Sequence, residues 1–465
     1  MKTETIAAIA TSLSESGISI IRISGEQALE VADKIVVTKN GKKVSEFKSH
    51  TIHYGHIMDE DVIVDEVMVS FMKAPNSFTA ENTVEINCHG GVLITKKILK
   101  LVLKAGARLA QPGEFTKRAF LNGRIDLSKA EAIMDIIHAD NEFALQIGMK
   151  QLKGSVSKKV YSMRESLIYE IAFIESALDD PEHYSLDEYP EQLKIKIIDI
   201  LNDLIKMENT AENGKIIRQG INTVIVGKPN AGKSSFLNFL LGEEKAIVTD
   251  IAGTTRDALE DYVRIQDISF HIIDTAGIRK TEDIVEKIGV EKAIDYSKDA
   301  DLLLYIIDSS VALDENDFDI MKMTAGKKMI VLLNKSDLES VVEIDEIKEK
   351  LVYYSHKEED IRFIKVSAKE KVGMEDFESV AKDMFFHGEI KIQDEVMITN
   401  LRHRELISNA IDSLKLVINS IDNYMPEDFL TIDMMSAYES LGKIIGEEIE
   451  EDLVNEIFSK FCMGK

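Results

Sequence analysis

The octapeptide Gly227-Lys228-Pro229-Asn230-Ala231-Gly232-Lys233-Ser234 lies directly behind the apolar run 223–226 and directly ahead of 235–241, where helical spacing begins. Strand, glycine-rich turn and helix in that order make a phosphate loop, in which glycines let backbone N–H groups turn inward around a polyphosphate. Lys233 then neutralises charge on the β- and γ-phosphates, the Ser234 hydroxyl is a ligand for Mg²⁺, and Ser235 follows in the first turn. Such a loop needs a parallel sheet behind it. The runs 223–226, 270–273, 302–307, 329–333 and 363–366 alternate with helical segments between Asn222 and Phe386, which predicts a parallel α/β sheet.

Three further elements close those runs. Asp274-Thr275-Ala276-Gly277 ends 270–273, so a carboxylate at a strand's carboxyl end can hold Mg²⁺ through its hydration shell and Gly277 can meet the γ-phosphate. Asn334-Lys335-Ser336-Asp337 ends 329–333. The Asp337 carboxylate can accept from both N1–H and the 2-amino group of guanine; facing adenine it would stay unpaired, at a cost of ~1–3 kcal/mol. Ser367-Ala368-Lys369, behind 363–366, sets backbone N–H groups toward guanine O6. In this order the elements select GTP over ATP.

Between the phosphate loop and Asp274, Thr249-Asp250-Ile251-Ala252-Gly253-Thr254-Thr255-Arg256-Asp257 occupies the place of a switch segment, with Thr255 as a metal ligand. Ile278 stands where Ras-like enzymes carry the glutamine that orients the attacking water. Glu282, Asp283 and Glu286 downstream are open alternatives for that role.

With 465 residues, two to four domains are expected at roughly 100–200 residues each. Residues 1–120 mix short β-like runs (18–23, 62–71, 83–87) with one helical stretch at 93–105, an α+β pattern. From Asp126 the period becomes helical, with Leu167, Ile171, Ile174 and Leu178 on one face as a core stripe, and it returns after Glu389 over 401–418 and 434–461. The expected fold is therefore multidomain. An α+β domain (1–120) precedes a helical domain in two parts (121–219 and 387–465), interrupted by an inserted α/β P-loop domain of Ras-like type (220–386).

A formal charge of −26, from 56 basic and 82 acidic residues, disfavours non-specific attraction to nucleic acid. An RNA partner would need a local basic patch, for which Lys117, Arg118, Arg124, Lys150, Lys153, Lys158 and Lys159 are the candidates. Apolar runs such as 302–307 are far shorter than the ~20 residues of a membrane span. Only two cysteines, Cys88 and Cys462, argue for a reducing compartment, and residues 1–12 do not read as a targeting peptide, so a cytoplasmic location is expected.

Other motifs surround these. They are Ile21-Arg22-Ile23-Ser24-Gly25, Asn76-Ser77-Phe78-Thr79 through Val84-Glu85-Ile86, His89-Gly90-Gly91, and Pro112-Gly113-Glu114-Phe115 through Asn122-Gly123-Arg124-Ile125-Asp126-Leu127. With the phosphate loop, Gly253-Thr254-Thr255-Arg256-Asp257 and the ending Phe461-Cys462-Met463-Gly464-Lys465, they resemble the bacterial tRNA-modification GTPases of the MnmE (TrmE) family over the whole chain.

The resemblance implies a homodimer whose N-terminal domain binds a tetrahydrofolate one-carbon donor, such as 5,10-methylenetetrahydrofolate, at the positions of Arg22, Glu85, Arg124 and Lys465. It implies potassium-stimulated hydrolysis, with Asn230 and the loop oxygens of Thr249, Ile251 and Thr254 cradling K⁺ in place of an arginine finger. It makes Glu286 the acid that orients water and sets Cys462 near the folate, where it could handle the one-carbon unit, while Cys88 reads as structural. The family's chemistry, shared with a flavin (FAD)-binding, NADH-using partner protein, adds a carboxymethylaminomethyl-type group to C5 of the wobble uridine of certain tRNAs. The alternative is a GTPase that assists RNA or ribosome assembly without covalent chemistry, which would need no folate set.

Overall fold

The computed structural model describes residues 4–39, 41–183, 186, 189–242, 261–265, 268–273, 300–386, 396–447, 451–461 and 464. The chain divides into two compact units, one from Met1–Met134, Gln151–Pro190 and Asn419–Lys465, the other from Asp135–Lys150 and Glu191–Ile418.

The first unit is built on a seven-stranded sheet in the order β3-β4-β5-β6-β2-β1-β7. The strands are β1 (Ile6–Ile9), β2 (Ser16–Ser24), β3 (Val36–Thr38), β4 (Thr51–Asp59), β5 (Val62–Met72), β6 (Thr83–Gly90) and β7 (Arg108–Leu109). All neighbours are antiparallel except β1 and β7. Alternation decides which side is dry: Ile21 and Ile23 of β2 and Val84 and Ile86 of β6 are fully buried, while Arg22 and Glu85 between them face the other way. The helix Val92–Lys104 joins this core through Ile98, Leu101 and Val102.

Helical segments complete this unit. Ser155–Asp179 packs along Glu427–Ile445. Leu167, Ile171 and Ile174 are buried as their spacing predicts, whereas Leu178 is 39% exposed and Ala177 takes the inward position. From Ile174 both i+3 and i+4 lie near the stripe, and the small side chain fits the closing end of the packed pair. The helix Glu451–Ser459 returns to Glu114–Leu121, and Gly113 (φ 68°) permits the approach, since a Cβ there would stand 2.4 Å from the Phe458 carbonyl oxygen.

The second unit contains a six-stranded sheet ordered β13-β12-β11-β8-β10-β9. These are β8 (Ile221–Gly227), β9 (Asp261–Ile265), β10 (Ile268–Ile272), β11 (Leu302–Asp308), β12 (Met329–Asn334) and β13 (Ile361–Lys365). The five expected runs, β8, β10, β11, β12 and β13, form a parallel sheet, and β9 adds an antiparallel edge against β10. Central strands are apolar without alternation because both faces are covered: Ile225, Phe236, Phe270 and Phe377 pack on one side, Val224, Tyr305, Ile320 and Met321 on the other. Strand order reverses at β8, which has β10 on one flank and β11 on the other, so the loop after β8 opens at a topological switch point.

Candidate functional site

Gly227 ends β8 with φ 154°, and a Cβ there would lie 2.4 Å from the Ile306 carbonyl oxygen, so glycine lets the loop leave flush against β11. Asn230 is left-handed (φ 64°), a conformation asparagine tolerates better than most side chains. At Gly232 (φ 99°) a Cβ would come within 2.1 Å of Asn334 Nδ2. That space is used. Asn334 Nδ2 donates to the Ala231 carbonyl at 2.8 Å and Asn334 Oδ1 accepts from Ala368 N–H at 3.3 Å, so one side chain ties the phosphate loop to both loops at the base. Lys233 opens the helix Lys233–Gly242, and its ammonium donates to the carbonyls of Gly227 (2.9 Å) and Lys228 (2.7 Å). Ser234 and Ser235, next in that turn, are exposed. The Ser234 hydroxyl is the hard oxygen donor that Mg²⁺ prefers.

The loops after β12 and β13 meet each other. Ser336 N–H donates to the Val366 carbonyl at 3.1 Å, and Ser367 Oγ donates to Asp337 Oδ1 at 2.6 Å. That hydrogen bond is the foremost influence on Asp337 and pulls its pKa below the ordinary value. Lys335, left-handed at φ 60°, pairs with Asp308 at the end of β11. Burial opposes ionisation of Asp308, yet bonds from Lys335 and Ser310 outweigh it and lower its pKa. Ser309 donates both N–H (3.0 Å) and Oγ (2.8 Å) to the Asn334 carbonyl. Asp308 and Ser309 were missed by sequence reasoning; a carboxylate closing the apolar run of β11, where it is the register partner of Asn334, was the available signal. Lys369 is largely exposed.

In the first unit Arg22 and Glu85 are register partners on β2 and β6, with Arg22 Nε donating to Glu85 Oε1 at 2.8 Å. Arg22 Nη1 also donates to the carbonyl of Gly464 at 3.3 Å, joining positions 442 residues apart. Its guanidinium stands 5.8 Å from the Phe78 ring centroid and 5.7 Å from that of Phe115. Arg124 reaches the same Phe78, with its guanidinium 5.3 Å from the centroid and Nη1 donating to the Phe78 carbonyl at 2.8 Å. Arg22, Glu85 and Arg124 therefore share one neighbourhood around Phe78. Beside it, His50, Pro75, Asn76, Phe78, Asn122 and Arg124 line a cavity of about 610 Å³.

The candidate basic patch loses a member. Arg118 is 8% exposed and spent on Glu81 (3.1 Å) and Glu114 (2.9 Å), because helix Glu114–Leu121 turns it inward. Cys88 is buried, as a structural cysteine would be, with its thiol 3.4 Å from the Ser19 carbonyl. Thr249, Asp250, Ile251, Ala252, Gly253, Thr254 and Thr255, then Asp274, Thr275, Ala276 and Gly277, and finally Glu286, Cys462 and Lys465 lie outside the described residues.

A phosphate loop at the switch point of a largely parallel sheet, braced by Asn334 and flanked by the Asp337 carboxylate, defines a guanine-nucleotide-hydrolysing P-loop protein. The comparisons narrow that class. The model of the MnmE helical domain matches residues 127–462, and that of the GTP-binding protein TrmE N-terminus matches 5–124. The tRNA modification GTPase MnmE of Lachnoclostridium phytofermentans is 56% identical over 466 residues, covering 100% of both chains. That of Clostridioides difficile is 46% identical, covering 99% of each. A solved structure of an Aquifex aeolicus Era variant bound to GDP·AlF4− matches with 26% identity and a TM-score of 0.26, over 42% of this chain and 67% of that one. The chain belongs to the MnmE family.

Proposed function

We propose that this GTPase acts in tRNA modification: together with a flavin- and NADH-using partner protein it adds a carboxymethylaminomethyl-type group to C5 of the wobble uridine of certain tRNAs. Membership of the family supports the tRNA role. The observation that carries the finer reading is the cluster of Arg22, Glu85 and Arg124 about Phe78, with the Gly464 carbonyl on Arg22. Two guanidiniums, one carboxylate and an aromatic ring are what a tetrahydrofolate needs. Its glutamate carboxylates suit Arg22, Arg124 and Lys465 through charge-assisted bonds, and its pterin N–H groups suit Glu85. The bound tetrahydrofolate would supply the one-carbon unit, with Cys462 beside it. A factor that only assists RNA assembly has no use for these residues.

In the nucleotide half, Asp337 selects guanine, and Lys233 offsets charge as water adds to the γ-phosphorus and the bond to the β–γ bridging oxygen breaks. Glu286 orients that water. Ser234 and Thr255 would hold Mg²⁺, and Asn230 with the loop oxygens of Thr249, Ile251 and Thr254 would hold K⁺, whose charge offsets what develops in the transition state. Two copies form the working dimer.

Deletion of residues 462–465 tests the folate reading in the full enzyme. Calorimetric affinity for 5-formyltetrahydrofolate should be lost while GTP hydrolysis stays near the parent rate; parent-like folate affinity would remove the site. Mass spectrometry of wobble nucleosides from cells lacking the protein separates the readings, since an assembly factor leaves them unchanged.

A further inference from the structure

β11 and the segment behind it contain no nucleotide-binding motif, yet they hold the phosphate loop from behind. Asp317, in the first turn of the helix Glu315–Met323, is fully buried. Its Oδ2 accepts from Lys228 Nζ at 2.6 Å and from Asp314 N–H at 3.0 Å, and its Oδ1 accepts from the Tyr305 hydroxyl at 3.0 Å. Lys228 Nζ also reaches Asp314 Oδ2 at 3.1 Å, and its side chain is only 14% exposed. A buried carboxylate survives only when paired and hydrogen-bonded, and here three donors satisfy it. Burial works against the Lys228 charge, but the two aspartates outweigh it and raise its pKa.

The anchored lysine is the second residue of the phosphate loop. Its carbonyl is one of the two that accept from Lys233 Nζ, at 2.7 Å. The next residue is Pro229, whose ring fixes its own φ and restricts the residue before it. The direction of the Lys228 carbonyl therefore depends on the backbone of Lys228, and the buried ion pair pins the side chain of that residue.

Resting on the GTPase reading, we propose that Lys228 is a positioning residue for phosphoryl transfer: its ion pair to Asp317, braced by Tyr305 and Asp314, sets the carbonyl that holds the Lys233 ammonium in place. Ground-state GTP binding draws on many loop N–H groups and on the base contacts. Charge that develops during transfer depends on Lys233 more sharply, so a loosened anchor costs turnover before it costs binding.

The test uses the full chain with Lys228→Met, Lys228→Arg, Asp317→Asn and the double variant Lys228→Met/Asp317→Asn, reading steady-state GTP hydrolysis and thermal unfolding. Loss of a transition-state contact predicts that Lys228→Met lowers kcat about tenfold and moves KM less than about twofold. Lys228→Arg, which can still pair with Asp317, should recover most of that loss. The double variant should be no worse than Lys228→Met, because both changes break one interaction. The double variant also removes the uncompensated buried charge, so it keeps the test open if a single variant folds poorly. A parent-like kcat in a folded Lys228→Met protein overturns the proposal, as do an equal loss in Lys228→Arg or losses that multiply in the double variant. A parent protein that hydrolyses no GTP would instead overturn the GTPase reading.

Discussion

Ser367 shows how a single hydroxyl braces the Asp337 carboxylate proposed to read the base. Its 2.6 Å bond holds Asp337 below the ordinary carboxylate value, so the ionised form extends to lower pH than in a free aspartate. The sign follows: guanine affinity that depends on the charge holds at pH above the depressed value and is lost as pH falls through it. Ser367→Ala removes the foremost cause, so the Asp337 carboxyl should titrate at higher pH by carbon NMR; an unmoved titration would assign the depression to another group. Asp337→Asn should weaken GTP binding and shift preference toward xanthosine triphosphate, whose C2 carbonyl and N1–H suit an amide. Nucleotide competition measures this, and unchanged GTP affinity would take Asp337 out of the site.

Among elements, the C-terminal helix Glu451–Ser459 depends on one glycine. Gly113→Ala would force a left-handed alanine and drive its Cβ toward the Phe458 carbonyl, costing at least ~1–2 kcal/mol from backbone strain alone. Hydrogen exchange should then rise over 451–461 while GTP hydrolysis persists; unchanged protection would show that the contact yields without cost. No spacing rule announces a contact between residues 113 and 458. The sequence disclosed what repeats or recurs locally: the buried runs that became β8, β10, β11, β12 and β13, the helix after the phosphate loop, and β2, β5 and β6 of the first sheet. It hid β4, whose Thr51–Asp59 run places histidines and a glycine where apolar residues would mark a strand, and it hid the edge strand β9. Of the nucleotide site, the loops were readable because their glycines and polar residues follow strands. The braces behind them, Asp308 and Asp317, were not, because each works through a partner distant in sequence.

At the scale of the molecule, each unit assembles its cluster from remote parts of one chain: Arg22 with Gly464 in the first, Gly232 with Asn334 in the second. If hydrolysis is driven by a K⁺ site completed in a dimer, two dependences follow together. Turnover should be faster in K⁺ than in Na⁺ at equal ionic strength, because a site fitted to the larger ion fails to desolvate and hold the smaller one. Specific activity should also rise with protein concentration until dimers saturate. Asn230 isolates the ion from the fold. Asn230→Ala would mix loss of the ligand with strain at φ 64°, so Asn230→Gly, which tolerates that backbone, is the cleaner variant. It should abolish the K⁺ advantage and leave GDP affinity nearly intact, since Lys233 and the loop N–H groups remain. Equal rates of the parent enzyme in the two salts would remove the potassium site, and a K⁺ advantage surviving in Asn230→Gly would remove Asn230 from it.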